Sequence, residues 1–220
     1  MVVPSNLRGQ HGFAVLSVLT LLACSDKRPL ATPNTPASVT SASATSGSAK
    51  AADGERFVTP TGKVWTLSEI KQSSSVSSLS VRGTGFPHSQ QSLDLGVGDP
   101  LEAAFLTDLD SDGWSELLIV RRSVGSGSYA DVSGVASNSD LSFAPLHVVK
   151  PELRDPLFAG YRGHDTLRVE DGCLLRAFPV YREQDPNTQA SGGTRELCYR
   201  LERGEASFVL VPELASGAAP

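Results

Sequence analysis

The sequence has no basic stripe, no long helical pattern and no internal repeat. The formal net charge of the 220 residues is −5, so nucleic acid is not expected as a partner. The Asp-rich loop occurs once, which excludes a propeller assembled from repeats of it. The longest apolar run near the N-terminus, Gly12 to Ala23, is too short to span a bilayer. These absences leave short strands and a processed N-terminus as the features to interpret.

The N-terminal segment predicts a lipoprotein. Residues 1–23 have a short basic region with Arg8 followed by the apolar run, which is typical of a signal peptide. The run ends in "LLAC", which resembles the lipobox of bacterial lipoproteins and predicts lipidation of Cys24. An ordinary secretory signal that happens to contain a cysteine is the alternative. Ser25 after the cysteine favours the outer membrane, so we expect the protein to face the periplasm or the cell surface, attached to the membrane by this lipid only.

Composition divides the rest of the chain into three parts. Residues 24–55 are rich in Ala, Ser, Thr and Pro and have no apolar periodicity, which predicts a disordered tether. Residues 56–213 are expected to form the folded domain, and 214–220 a disordered tail. Whether the domain forms a homodimer stays open.

The sequence of the domain predicts an all-β fold. Short runs rich in Val, Leu, Ile, Phe and Thr alternate with Gly, Pro, Asp and Ser clusters, as in "SELLIVRR" and "SFVLVP". This spacing predicts an antiparallel β-sandwich or barrel, and we expect the sandwich, with protruding loops. Only "PELRDPLFAGYR" suits a short helical turn.

Cys173 and Cys198 are an even pair in an exported chain, where disulfides persist. A hairpin turn centred on Asp185 and Pro186 would place the two cysteines directly opposite each other. Such a bridge would stabilise the domain by roughly 3 kcal/mol. Two reduced, buried cysteines are the alternative.

The stretch "DLDSDGWSE" has the spacing of a calcium loop. Calcium takes six to eight oxygen ligands, and alternate carboxylates followed by a glycine can supply several of them in a tight turn. The expected ligands are Asp108, Asp110, Asp112, the Trp114 carbonyl and Glu116. Ile119 stands where an EF-hand has its bidentate Glu, so the loop is closer to the calcium loops of extracellular β-rich repeats. An acidic turn stabilised by Asx hydrogen bonds is the alternative.

The stretch "VGSGSY", Val124 to Tyr129, follows the apolar strand and is open to several interpretations. Its glycines predict a sharp loop that turns Ser126 and Tyr129 to the same side. One interpretation is a serine hydrolase that uses Ser126 with His164 and Asp165. The sequence does not favour it, because Val124 stands where the nucleophile elbow has its first glycine. A phosphate loop lacks the Gly-Lys-Ser/Thr sequence and the following helix. A rigid recognition loop and a plain hairpin turn remain.

A family resemblance favours the recognition loop. The stretch "DLDSDGWSELLIVRRSVGSGSYADV", with "GYRGHD", "FPVYREQDPN" and "GGTRELCYRL", resembles the periplasmic inhibitors of invertebrate-type (i-type) lysozyme, the PliI-like family. The similarity runs from about Leu101 to Val211. In that family a Ser-Gly-x-Tyr motif on a β-sandwich loop enters the lysozyme cleft.

The resemblance implies a lysozyme-binding loop formed by Ser126, Gly127, Ser128 and Tyr129. It implies an inhibitor and not an enzyme, with an i-type lysozyme as protein partner. No contact is assigned to "GYRGHD", Arg182 or Arg195. A calcium-braced envelope binding or adhesion module with an unrelated protein or glycan partner is the alternative.

Overall fold

The structure, a computed structural model, describes residues 54–88, 92–152, 154–204 and 207–215. The predicted signal peptide, the lipidation site Cys24 and nearly all of the predicted tether lie outside the described residues. The predicted tail is described only at its first two residues.

The described residues form two β-sheets, which confirms the predicted all-β sandwich class. The smaller sheet has the strand order β1-β2-β3-β4, and the larger has the order β5-β6-β7-β8-β12-β11-β10-β9. The strands are β1 Glu55–Val58, β2 Val64–Lys71, β3 Ser77–Thr84, β4 Ser92–Gly98, β5 Leu101–Thr107, β6 Glu116–Arg122, β7 Ala130–Asn138, β8 Ser142–Val148, β9 Thr166–Glu170, β10 Cys173–Pro179, β11 Thr194–Arg203 and β12 Phe208–Leu214.

Strand β6 is buried on both faces. Side chains of successive residues in a strand point to opposite faces, so Leu117 and Ile119 pack toward the smaller sheet while Leu118 and Val120 pack into the core of the larger sheet. A strand covered on both sides must be apolar at nearly every position. This requirement explains the unbroken "ELLIV" run and confirms the predicted buried strand.

The smaller sheet covers one face of β6 and β7 with an aromatic layer. Trp65 of β2 stacks on Phe86, with ring centroids 5.6 Å apart, and Phe86 meets Phe143 of β8 edge to face at 5.0 Å. Trp65 and Phe86 are almost completely buried. The outer face of that sheet is exposed and carries mainly polar side chains, with the apolar residues Val58, Ile70 and Val97 near the strand ends.

The sequence patterns did not predict β1 or β4, nor the parallel pairing of β12 with β8. Strands β1 and β4 form the two edges of the smaller sheet, and each buries little apolar surface. Strand β1 has only four residues, and β4 contains Gly96 and Gly98, which are disfavoured in strands, so neither gives a strong strand signal.

The predicted disulfide between Cys173 and Cys198 is present, with a Cα–Cα distance of 5.5 Å. The predicted direct pairing is wrong, because Cys198 lies opposite Leu175 in the β10–β11 register. Pairing begins at Pro179 and Thr194, so the connecting loop is much longer than a tight turn at Asp185 and Pro186. The bridge therefore joins the strands diagonally.

The segment "PELRDPLFAGYR" contains one short 3-10 helix, Pro156–Phe158, as the sequence suggested. The Asp155 side chain accepts a hydrogen bond from the Leu157 N–H at its start. In the described ranges of the chain, no helix has the length and apolar character needed to cross a membrane.

Candidate functional site

The motif loop, residues 123–129, connects β6 to β7 and is closed at its base by two hydrogen bonds. The Ser123 N–H donates to the Tyr129 carbonyl at 2.9 Å, and the Tyr129 N–H donates to the Ser123 hydroxyl oxygen at 2.8 Å. A further bond from the Ser128 N–H to the Gly125 carbonyl at 3.0 Å makes a turn with Ser126 and Gly127 at its centre. The motif thus occupies the tip and one flank of a closed hairpin.

The polar groups of the loop are available to a partner. Ser126 is exposed, Tyr129 is 47% exposed and Val124 is 64% exposed. Within the part of the chain that the structure describes, the hydroxyls of Ser126, Ser128 and Tyr129 have no hydrogen-bond partner. A loop that served only to turn the chain would not need this set of open hydroxyls beside an aromatic ring.

The loop glycines act differently from the prediction. Neither Gly125 nor Gly127 has a left-handed backbone; that conformation falls on Ser128, with φ 44°. Gly127 is required for close packing instead, because an added Cβ would lie 2.3 Å from Cε2 of the Tyr129 ring. The absence of a side chain at Gly127 therefore lets the Tyr129 ring lie over the loop backbone.

The segment "GYRGHD", residues 160–165, braces the motif loop. The His164 N–H donates to the Gly127 carbonyl at 2.8 Å, and the Tyr161 ring meets the Tyr129 ring edge to face at 5.7 Å. Gly163 has φ 88°, and a Cβ there would lie 2.0 Å from the Gly127 carbonyl oxygen. Sequence reasoning assigned this segment no contacts, although its presence in the resemblance was the available signal.

A buried carboxylate ties the base of the loop to the core. Asp165 is 2% exposed and accepts hydrogen bonds from the Ala130 N–H at 3.1 Å and the Tyr161 hydroxyl at 2.9 Å. It also forms ion pairs with Arg176 at 3.1 Å and with Arg122 at 3.5 Å. Burial, together with the Asp165 charge, raises the pKa of Tyr161 above its usual value, so this phenol stays a hydrogen-bond donor.

Arg122 and Arg176 connect Asp165 to the motif loop and to neighbouring strands. Arg122 donates to the Ser128 carbonyl at 2.8 Å and pairs with Glu102 at 2.8 Å. Arg176, fully buried, donates to the Ala130 carbonyl at 2.8 Å and to the Tyr199 hydroxyl at 3.1 Å. The positive charges of Arg122 and Arg176 balance the negative charges of Asp165 and Glu102, so the network contains no unpaired buried charge.

The same contacts argue against a serine hydrolase. Both Asp165 carboxylate oxygens are occupied by Ala130, Tyr161 and the arginines. Among the described residues, no hydrogen bond connects Ser126, His164 and Asp165. A catalytic triad requires its carboxylate to orient the histidine, and here the carboxylate orients the loop base.

The acidic loop lies at the other end of β6. Asp108, Asp110 and Glu116 each place one carboxylate oxygen within 4.8 Å of the others. Glu116 is 1% exposed, and its Oε2 accepts a hydrogen bond from the Leu109 N–H at 2.8 Å. Burial, together with the charges of Asp110 and Asp108, raises the pKa of Glu116 to about 7.

The remaining predicted ligands have other contacts. Asp112 accepts a hydrogen bond from the Trp114 N–H at 2.7 Å and forms an ion pair with Arg203 of β11, which also pairs with Asp110 at 3.3 Å. Asp108 accepts from the backbone N–H groups of Asp112 at 3.1 Å and Gly113 at 3.0 Å. The carboxylate cluster and the Asx-bonded turn, which the sequence left as alternatives, thus coexist in one loop.

The seven residues of β6 separate these two loops by about 20 Å. The motif loop follows Arg122, and the acidic loop precedes Glu116. An ion in the acidic loop could therefore stabilise the fold but could not contact the groups of a partner that bind Ser126 and Tyr129.

No protein-family model matches the chain, and no curated protein matches it. Among solved structures, the chain is similar to Aeromonas hydrophila PliI in the crystal structure of its complex with Meretrix lusoria lysozyme. The identity is 29%, the match covers 41% of this chain and 79% of that chain, and the TM-score is 0.32. A TM-score of this size does not establish a common fold, so the architecture rests on the strand order and packing described above.

Proposed function

We propose that this protein is a lysozyme inhibitor that places its motif loop, residues 123–129, in the active-site cleft of an i-type lysozyme. One observation carries the proposal: Ser126 and Tyr129 stand exposed, with open hydroxyls, on a hairpin whose base is fixed by hydrogen bonds and a buried ion-pair network. The Ser-Gly-x-Tyr resemblance and the likeness to a lysozyme-bound protein agree with it.

The chemistry of a muramidase cleft suits these groups. Glycosidases hold two carboxyl groups a few ångströms apart on either side of the bond they cleave. A hydroxyl can donate to a carboxylate or accept from a carboxylic acid, so it can pair with either catalytic group. Ser126 and Tyr129 would supply one hydroxyl each in the place of the sugar.

The bracing of the loop favours affinity. Association costs conformational entropy wherever a loop must be ordered. Here Ser123, Arg122 and His164 already fix the loop backbone before binding. Tyr129 adds a large aromatic surface with few rotatable bonds, which is typical of residues that dominate interface energies.

The charge of the protein favours encounter with a basic enzyme. The formal net charge of −5 would attract a basic lysozyme and would mainly raise the association rate. In this proposal the protein carries out no chemistry itself, and its activity is the exclusion of substrate from the cleft.

Calcium has a structural role in the proposal. The three carboxylate oxygens of Asp108, Asp110 and Glu116 lie close enough together to contact one ion, given Ca–O distances of about 2.4 Å. The ion would neutralise the charge that Glu116 carries in a buried position. Asp112 lies outside this cluster and would support the loop through Arg203, which also pairs with Asp110. The ion would therefore brace the far end of β6.

Lipid anchoring completes the proposal. Cys24 would carry the lipid, and residues 24–55 would let the domain reach lysozyme from the outer membrane. We expect a Cys24→Ser variant to leave the membrane fraction of fractionated cells while the wild-type protein stays in it. Equal distribution of the two proteins would contradict the anchor.

The test of the function is inhibition of cell-wall lysis. The purified full chain should slow the lysis of cell-wall substrate by an i-type lysozyme, and Tyr129→Ala should lose at least tenfold in potency because it removes both a hydroxyl and the ring. Leu141→Ala is the matched control, since Leu141 is also about half exposed but lies in the turn after β7. Undiminished lysis at high protein concentration would reject the function, and equal potency of Tyr129→Ala would reject the loop.

A further inference from the structure

The outer face of the smaller sheet, β1–β4, has a concave groove that no part of the inhibitor proposal uses. Its lining combines two arginines, five hydroxyl residues and one small apolar residue: Arg56, Val64, Thr66, Ser68, Ser80, Arg82, Thr84 and Ser92. No acidic residue lines it, although the whole chain is acidic. The groove also lies before Leu101, where the family resemblance begins.

The strand register places both arginines in one row across the sheet. Arg56 pairs with Thr66, Thr66 pairs with Arg82, and Arg82 pairs with Ser92. Two strand spacings therefore separate the backbones of Arg56 and Arg82, or about 10 Å. The guanidinium groups flank the strand that carries Thr66, so each can hold a different anionic group of one extended ligand.

Neither arginine is neutralised by the protein. In the ranges described by the structure, Arg56 has no hydrogen bond or ion pair, and Arg82 donates only to the Ser92 hydroxyl at 3.4 Å. By contrast, Arg122, Arg176 and Arg203 all bind carboxylates. The acid on this face, Asp94, lies opposite Ser80 at the border of the groove and accepts a hydrogen bond from the Gly96 N–H. It forms no ion pair with Arg56 or Arg82, so both exposed guanidinium groups remain open to an anionic ligand.

The floor of the groove defines the rest of the ligand. The hydroxyls of Thr66, Ser68, Ser80 and Thr84 have no hydrogen-bond partner within the described part of the chain. Hydroxyls both donate and accept, so they suit a ligand that is itself rich in hydroxyls. The lining has no aromatic residue on which a nucleobase could stack, and two arginines are fewer than a membrane-binding basic cluster has.

We propose that the outer face of β1–β4 binds an acidic polysaccharide. Arg56 and Arg82 pair with carboxylates that recur along the polymer, and the groove hydroxyls bond the sugar hydroxyls between them. Arginine suits this role because its planar fork can hold a carboxylate with two hydrogen bonds. The domain would then have two binding faces, one for a protein and one for a polymer of the envelope.

The test uses polygalacturonate as the acidic polymer, dextran as the neutral one, and the purified full chain. Electrophoresis through gels that contain each polymer should show retardation by polygalacturonate and none by dextran. The double variant Arg56→Gln/Arg82→Gln should raise the apparent Kd at least tenfold, and the charge-preserving Arg56→Lys/Arg82→Lys should raise it less. Arg154→Gln, which removes an exposed positive charge outside the groove, should leave the Kd unchanged.

Three outcomes would overturn the proposal. These are no retardation of the wild-type chain by polygalacturonate, an unchanged Kd in the double glutamine variant, or an equal loss in Arg154→Gln, which would indicate unspecific charge attraction. Vesicles of phosphatidylglycerol and phosphatidylcholine are tested in parallel, because binding to them and not to the polymer would assign the face to a lipid headgroup. Equal unfolding midpoints of the variants exclude misfolding as the cause, and lysozyme inhibition is scored separately.

Discussion

At the scale of single residues, close approach of two backbone segments determines the candidate site. Gly127 and Gly163 meet where the motif loop touches the 160–165 segment, and each lacks a side chain because no Cβ would fit there. The sequence indicated only that Gly127 lies in a sharp loop. The contact with residues 160–165 could not be predicted from a local pattern, since the two segments are far apart in the chain; the family resemblance was the one signal that included both.

Gly163→Ala should displace the motif loop. The new Cβ would meet the Gly127 carbonyl oxygen at 2.0 Å, in a backbone conformation with φ 88° that already disfavours a side chain. We expect about a tenfold loss of lysozyme inhibition. Gly62→Ala is the control, because Gly62 has φ 85° and nothing within 4 Å of its Cβ position. If both variants lost inhibition equally, general strain and not loop displacement would be the cause.

Asp165→Asn should be strongly destabilising. The substitution leaves Arg176 buried without its carboxylate partner, and removal of one member of a buried ion pair costs about 3 kcal/mol or more. Urea unfolding measures this change in the free energy of unfolding. Asp131→Asn, which breaks an exposed pair with Lys150, should cost less than about 1 kcal/mol. A similar small effect of both variants would contradict the role of the buried network.

At the scale of secondary-structure elements, the sequence predicted those strands whose burial makes the pattern strong. Strand β6 is the clearest case, since its burial on both faces requires apolar residues at its four central positions, Leu117 to Val120. The predicted β10–β11 register was wrong because the strands are joined by the long 180–193 loop, which side chains stabilise. Asp185 accepts from the Arg182 N–H at 2.7 Å and from the Ser191 N–H at 2.8 Å, and Arg162 bonds three oxygens of the loop.

Calcium removal should lower stability and leave inhibition intact. Chelation would remove the cation that holds the clustered carboxyl groups of Asp108, Asp110 and Glu116 together, so the melting temperature should fall by several degrees. Below the new midpoint, inhibition should be unchanged, because the length of β6 separates the acidic loop from the motif loop. Glu116→Gln should abolish the calcium dependence of the melting temperature, whereas Asp112→Asn should retain it. Loss of inhibition by the folded, chelated protein would contradict this geometry.

At the scale of the whole molecule, the two sheets have different expected tasks. The larger sheet presents the motif loop at the end of β6, and the smaller sheet covers β6 while its outer face remains open to solvent. The fold class followed from strand spacing, because alternation and turn residues are local signals. The division into sheets of four and eight strands could not be predicted from strand spacing, because it depends on which faces meet across the core.

The central claim is that the motif loop occupies the lysozyme cleft. The most direct measurement is the Kd between the full chain and an i-type lysozyme, with and without a saturating chitooligosaccharide that fills the cleft. Occupation of the cleft predicts that the oligosaccharide raises the Kd at least tenfold, and that Tyr129→Ala weakens binding in its absence. A Kd that the oligosaccharide leaves unchanged would place the loop outside the cleft and contradict the account.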